Sequence, residues 1–244
     1  MIIGSVAAAV LTGAQVGIWQ VAVVWGFGVT LAIYATAAIS GAHLNPAVSL
    51  AFAIFRHREF PVSRLVPYWA SQLAGAVLAG LVILGLSGPF IVRYESELGI
   101  TRGAPGSQLS AMVFGEYFPN PAIFGVGEDA ATLISPWGAA LVEGAGTAIL
   151  VFVIFALIDP RSAGLPTRRF APFFIGFTVA VLISVFSPLT QAGWNPARDL
   201  GPRLVAYWGD GERWPYLGRR RDFGSISLGR WWVVRWGRDC LNAC

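Results

Sequence analysis

The chain has 244 residues, a net charge of +4 and a mean hydropathy of +0.63, with 55% hydrophobic and 12% charged residues. That balance excludes an ordinary soluble domain, and so small and scattered a positive excess excludes a nucleic-acid partner. All 17 basic residues are Arg, which reads as coding bias, and Cys240 and Cys244 fit no metal or redox spacing, so no metal or cofactor is expected.

No charged residue precedes Arg56, and the apolar start 1–11 lacks the basic region of a cleaved signal peptide. Runs of about 20 apolar residues can cross a bilayer. Four such spans are predicted, at 19–40, 65–87, 136–158 and 170–190. Asn45-Pro46-Ala47 follows the first span and Asn195-Pro196-Ala197 follows the last. Asn is a preferred helix cap and Pro suits a first helical turn, so each triplet predicts a short helix, over 47–55 and 197–208. Two half-helices with matching starts, one in each half of the chain, predict a pore built from an internal repeat.

Arg56, Arg58 and Arg64 follow the first half-helix, and Arg161, Arg168 and Arg169 lie between the last two spans. The positive-inside rule places both loops in the cytoplasm. The connection 88–135 carries Glu95, Glu97, Glu116, Glu128 and Asp129 against Arg93 and Arg102, and reads as an acidic outer loop. The first triplet then enters from the cytoplasm and the second from outside, so the half-helix N-termini meet near the midplane. Gly75, Ala76, Ala79, Gly80, Gly144 and Gly146 are read as ordinary close helix packing.

The stretches Ser40-Gly41-Ala42-His43-Leu44-Asn45-Pro46-Ala47-Val48 and Gly193-Trp194-Asn195-Pro196-Ala197-Arg198 resemble the two signature loops of the aquaporin, or major intrinsic protein, family. Arg198-Asp199-Leu200-Gly201-Pro202-Arg203 resembles the glycerol-facilitator branch, in which an Asp follows the Arg and a basic residue comes four later. The resemblance implies an all-α membrane bundle of six spans and two half-helices, usually a homotetramer with one pore per subunit. It implies a passive channel for glycerol, similar small neutral solutes and water, and a multi-pass location in a bacterial cell membrane. Asn45 and Asn195 would cap their helices with the side-chain oxygen and offer N–H to a passing hydroxyl. Half-helix dipoles would turn cations away.

By the same resemblance Arg198 is the selectivity-filter Arg, donating to solute oxygens; the rival reading pairs it with Asp199. Counting from the triplets adds Trp25, Ala192 and Ile183 to that filter, with Leu182 or Ser184 as alternatives to Ile183. For Trp25 a lipid-interface anchor is the other reading. Without a His, this set looks closer to the Trp/Val/Ala/Arg of plant nodulin-26-like channels than to bacterial facilitators. Glycerol leads as solute, with urea, ammonia or metalloid hydroxides as alternatives. His43 is expected to support the first loop, Asp199 to bond loop backbone at the second half-helix start, and Glu143 to hold a signature loop through its N–H groups.

Glu143 precedes Asn195 by 52 residues, and its counterpart before Asn45 would fall ahead of Met1. We therefore expect a channel domain over 1–208 whose first span is partial. The tail 209–244 holds seven Arg and four Trp with no run long enough to cross, and reads as a frameshifted or misjoined coding sequence. A non-conducting subunit that only associates in the membrane is the alternative function. No acid–base pair, nucleophile–His arrangement or phosphate loop suggests an enzyme.

Overall fold

The computed structural model describes residues 1–161 and 168–208, and the expected tail 209–244 lies outside them. In chain order the helices are α1 (Ile2–Thr12), α2 (Ile18–Ser40), α3 (Pro46–Phe55), α4 (Leu65–Leu98), α5 (Gln108–Ala111), α6 (Pro121–Phe124), α7 (Glu128–Thr132), α8 (Pro136–Ile158), α9 (Ala171–Thr190) and α10 (Pro196–Trp208). Among the described residues four helices are long and apolar enough to cross a bilayer: α2, α4 with the turn that leads into it, α8 and α9. This is a multi-pass membrane bundle.

Polarity is arranged inside out. Phe27, Leu31, Leu78, Leu81, Leu86, Leu141, Phe152, Phe177 and Val185 are all exposed on the long helices, where lipid would meet them. The charged and polar groups Asn45, Glu116, Glu143, Arg198, Asp199 and Arg203 are buried. In lipid such groups persist only where the protein itself supplies partners or a watery cavity.

Helix α2 packs along α9, the helix that precedes the second triplet, and α10 packs on α4. Close approach in the first pair depends on Gly26 and Gly176: a Cβ on Gly26 would lie 2.5 Å from the Gly176 carbonyl oxygen. The α4–α10 contact depends on Gly201, whose Cβ would lie 2.6 Å from that of Ala76. Of the small residues singled out in the sequence, Ala76, Gly80 and Gly146 meet neighbours closely, whereas Gly75 faces open space. Close packing therefore holds for some of that stripe but not for Gly75.

The expected outer loop 88–135 differs from its prediction in two ways. First, α4 runs on through Gly88 and Pro89 to Leu98, giving a helix of 34 residues, about 50 Å long against about 30 Å of hydrocarbon. Pro89 forfeits one hydrogen bond, to the Gly85 carbonyl. The turn beyond it is held by fully buried Ile91 and by an Arg93–Glu97 pair at 2.7 Å. Second, the connection is not simply a solvated loop. Its Ala111, Met112, Val113 and Phe114 are buried in one cluster with Ile3, Ala7 and Ile91. An apolar run inside an acidic stretch seeks the bundle, and it carries Glu116 in with it.

At the other end, Arg56 after α3 reaches Asp159 after α8 at 3.7 Å. Hydrogen bonds from Arg161 hold the Asp159 carboxyl down at about 2.

Candidate functional site

Each Asn-Pro-Ala triplet builds a helix start from local chemistry. Asn45 Oδ1 accepts from Ala47 N at 2.8 Å, and Asn195 Oδ1 accepts from Ala197 N and Arg198 N at 3.1 and 3.2 Å. Pro46 and Pro196 occupy the first helical positions, where no backbone N–H is needed. Buried Ala47 and Ala197 follow them into the half-helices. A cap of this kind stabilises a helix by about 1 kcal/mol.

The two starts also bind each other. Asn45 Nδ2 donates to the Trp194 carbonyl and Asn195 Nδ2 to the Leu44 carbonyl, both at 2.8 Å. These carbonyls belong to the residues just before each Asn. The exchange fixes α3 and α10 with their N-termini facing. The approach backbone is bent to permit it: Ala42, Leu44, Gln191 and Ala192 all have left-handed φ, between 51° and 63°. Each costs about 1 kcal/mol in an L-residue. Gly41, at φ 70°, ends α2 without that penalty and begins the first turn.

A cavity of about 580 Å³ runs past this junction. Its wall includes Phe60, Arg64 and Tyr68 at one mouth, Asn45 and Asn195 at the junction, and Trp25, Ala192 and Arg198 beyond it. Trp25 is buried, so it is not an interface anchor, and the Arg198 guanidinium stands 4.7 Å from its ring centroid. Ile183, on α9, is 2% exposed. It is buried in the same apolar cluster as Trp25, Ala192 and Trp194, and the cavity wall takes in Trp25 and Ala192 from that cluster. The side chain of Ser184 bonds back to the Ala180 carbonyl.

Arg198 pairs with an acid from the outer connection, Glu116. Its Nη1 lies 3.0 Å from Glu116 Oε1, and both side chains are buried. Asp199 accepts backbone N–H, but from Glu116 in the outer connection, at 3.0 Å, and it takes Arg203 Nε at 2.7 Å. Arg203 in turn donates to the Glu116 carbonyl and lies 4.8 Å over the Tyr117 ring. Gln191 Oε1 accepts from Tyr117 N at 2.7 Å. Glu116, Tyr117, Gln191 and Arg203 were not singled out as site residues from the sequence. The i,i+4 spacing of Asp199 and Arg203 was the available signal for one pair. Glu116, beside the apolar run 111–114, gave a weaker one.

His43 sits at the near mouth, stacked on Phe52 at 4.3 Å, with Nδ1 3.2 Å from Ser49 Oγ. Fully buried Glu143 accepts from Gly193 N at 3.0 Å through Oε1, tying α8 to the loop before Asn195. Gly146 lets Trp194 in one turn further along, since a Cβ there would lie 2.8 Å from Trp194 Cδ1. Glu143→Ala removes the Gly193 acceptor and leaves a void. We expect a loss of about 3 kcal/mol in detergent unfolding, with Glu143→Gln, whose amide oxygen can still accept, clearly milder. Equal losses for the two variants would contradict this role.

A sequence model of the major intrinsic protein family matches residues 1–218. The chain is 42% identical over 212 residues to the glycerol uptake facilitator protein of Pseudomonas aeruginosa, covering 84% of this chain and 70% of that protein. It is 40% identical over 211 residues to the propanediol uptake facilitator PduF of Citrobacter freundii, covering 85% and 73%. The X-ray structure of the aquaglyceroporin from Plasmodium falciparum superposes with a TM-score of 0.75 at 23% identity, over 97% of this chain and 87% of that one. That last likeness speaks for the fold alone. The joined half-helices, the cavity beside them and these similarities have one conclusion: the chain belongs to the major intrinsic protein family.

Proposed function

We propose that the chain is a passive channel for glycerol and similar small uncharged solutes, together with water. The observation that carries this reading is the cavity of about 580 Å³ that passes the two joined Asn-Pro-Ala starts and reaches Arg198. Its apolar wall suits a carbon backbone, while Asn45, Asn195 and Arg198 supply donors for hydroxyl oxygens. Relatives named for glycerol and propanediol uptake support the same solute class. Residues 1–208 form the channel domain in this reading, placed as a homotetramer in a cell membrane with Arg56 and Arg161 on the cytoplasmic side. Trp25, Ala192 and Arg198 make the narrow opening, Ile183 backs it from the core, and His43, Glu143 and Asp199 hold the loops.

Purified protein in liposomes, shrunk with glycerol or with sucrose and followed by light scattering, tests the proposal. Rapid re-swelling is expected in glycerol and not in sucrose. No gain over empty liposomes would instead favour a subunit that only associates in the membrane. Ala192→Phe is expected to narrow the opening and slow glycerol more than water. An unchanged ratio of the two permeabilities would remove Ala192 from the opening.

A further inference from the structure

We propose that Glu116 keeps anions out of this pore by neutralising Arg198 from behind. The proposal rests on the channel reading. Where α3 and α10 meet, the wall presents two helix N-termini, each carrying partial positive charge. Arg198 adds a full positive charge beside them. Such a path repels cations, but unopposed it attracts anions and holds them.

Glu116 opposes it from a fixed position. Its carboxylate is fully buried and stands 3.0 Å from Arg198 Nη1. The backbone around it is held on both sides: Glu116 N–H donates to Asp199, its carbonyl accepts from Arg203, and Tyr117 N–H donates to Gln191. Gly115 is what lets the segment lie this close, since a Cβ there would fall 2.6 Å from Arg203 Cγ. Glu116 does not line the cavity, so it is a positioning residue that acts through the Arg198 side chain. Among the described residues the carboxylate on the cavity wall is Glu59, which is at the other mouth and pairs with Arg56 at 3.1 Å. Arg198 and Glu116 together present donors without net charge. A neutral solute gains the hydrogen bonds, and an anion loses the attraction of a full charge.

A purely structural role would not control anion flux, and that separates the two ideas. Glu116→Gln and Glu116→Ser, with Glu116→Asp as the charge-keeping control, are assayed in liposomes for glycerol re-swelling and for chloride entry with an enclosed chloride-sensitive dye. Removing a unit charge about 6 Å from a passing anion, at an effective dielectric of about 20, changes its rate about a hundredfold. We expect the neutral variants to conduct glycerol and to admit chloride about a hundred times faster than the wild type. Wild type and Glu116→Asp stay closed to chloride. A neutral variant that conducts glycerol yet stays as chloride-tight as the wild type overturns the proposal. Loss of glycerol flux in both neutral variants, whatever Glu116→Asp does, assigns the carboxylate to assembly alone and overturns it too. A wild type that fails to conduct glycerol overturns the channel reading, and this proposal with it.

Discussion

Arg203→Leu is expected to destabilise the protein by about 3–5 kcal/mol, the range for removing one partner of a buried ion pair. Arg203 is almost completely buried, and three contacts meet on it: the Asp199 carboxylate, the Glu116 carbonyl and the Tyr117 ring. Leucine fills much of the volume but leaves the Asp199 charge without this cation. For a chain of this size the loss corresponds to roughly a 10 °C drop in melting temperature in detergent. The segment 115–117 should also leave its seat on α10, carrying Glu116 away from Arg198. The double variant Asp199→Leu/Arg203→Leu is expected to be milder than the single one, because an apolar pair leaves no buried charge. It still strands the Glu116 N–H, so it should not recover fully. A single variant no worse than the double would show that charge pairing is not what holds this corner.

Gly176→Leu is expected to separate the two helices that frame the pore. At Gly176 even a Cβ would overlap the Gly26 carbonyl and the Thr30 hydroxyl of α2. The clash is with backbone, which cannot turn aside as a side chain can. Overpacking typically costs about 1–3 kcal/mol, and a backbone contact lies at the upper end or beyond. Trp25 on α2 and Val179 on α9 line the cavity on these same two helices, so the wall moves with them. Little folded protein and no glycerol flux are expected. Gly85→Leu on α4 is the control, since nothing lies within 4 Å of a Cβ there and the position is exposed on the helix, where lipid would accommodate the side chain. A Gly176 variant with wild-type yield and flux would show that the α2–α9 contact has slack.

Much of this fold could be read from residue chemistry alone. Apolar runs gave three of the four crossing helices nearly to the residue, with α2 observed over Ile18–Ser40 against an expected 19–40. The triplets marked the half-helix starts because an Asn cap and a first-turn Pro are local signals that need no tertiary context. The connection 88–135 was less legible, because its path depends on partners far along the chain. Charge suggested a solvated loop, yet Val113 and Phe114 bury themselves against Ile3 and Ile91, and Glu116 follows to meet Arg198. Gly88-Pro89 looked like a helix end, but packing of Ile91 carries α4 past it. Counting from the triplets led to Trp25 and Ala192 on the cavity wall. Applied to α9 the same count led to Ile183, which is buried in one apolar cluster with Trp25 and Ala192. Residue spacing locates a turn of helix, whereas the face it shows is set by its neighbours.

Solute is expected to pass between Trp25, Ala192 and Arg198, and Ala192 is the place to test it. Cys240 and Cys244 are the chain's two native cysteines, and replacing both with Ser gives a background for Ala192→Cys. Glycerol re-swelling of liposomes is followed before and after a small water-soluble thiol reagent. Labelled Ala192→Cys is expected to lose glycerol flux while the cysteine-free background is untouched. Full labelling of position 192 with undiminished glycerol flux would contradict that path.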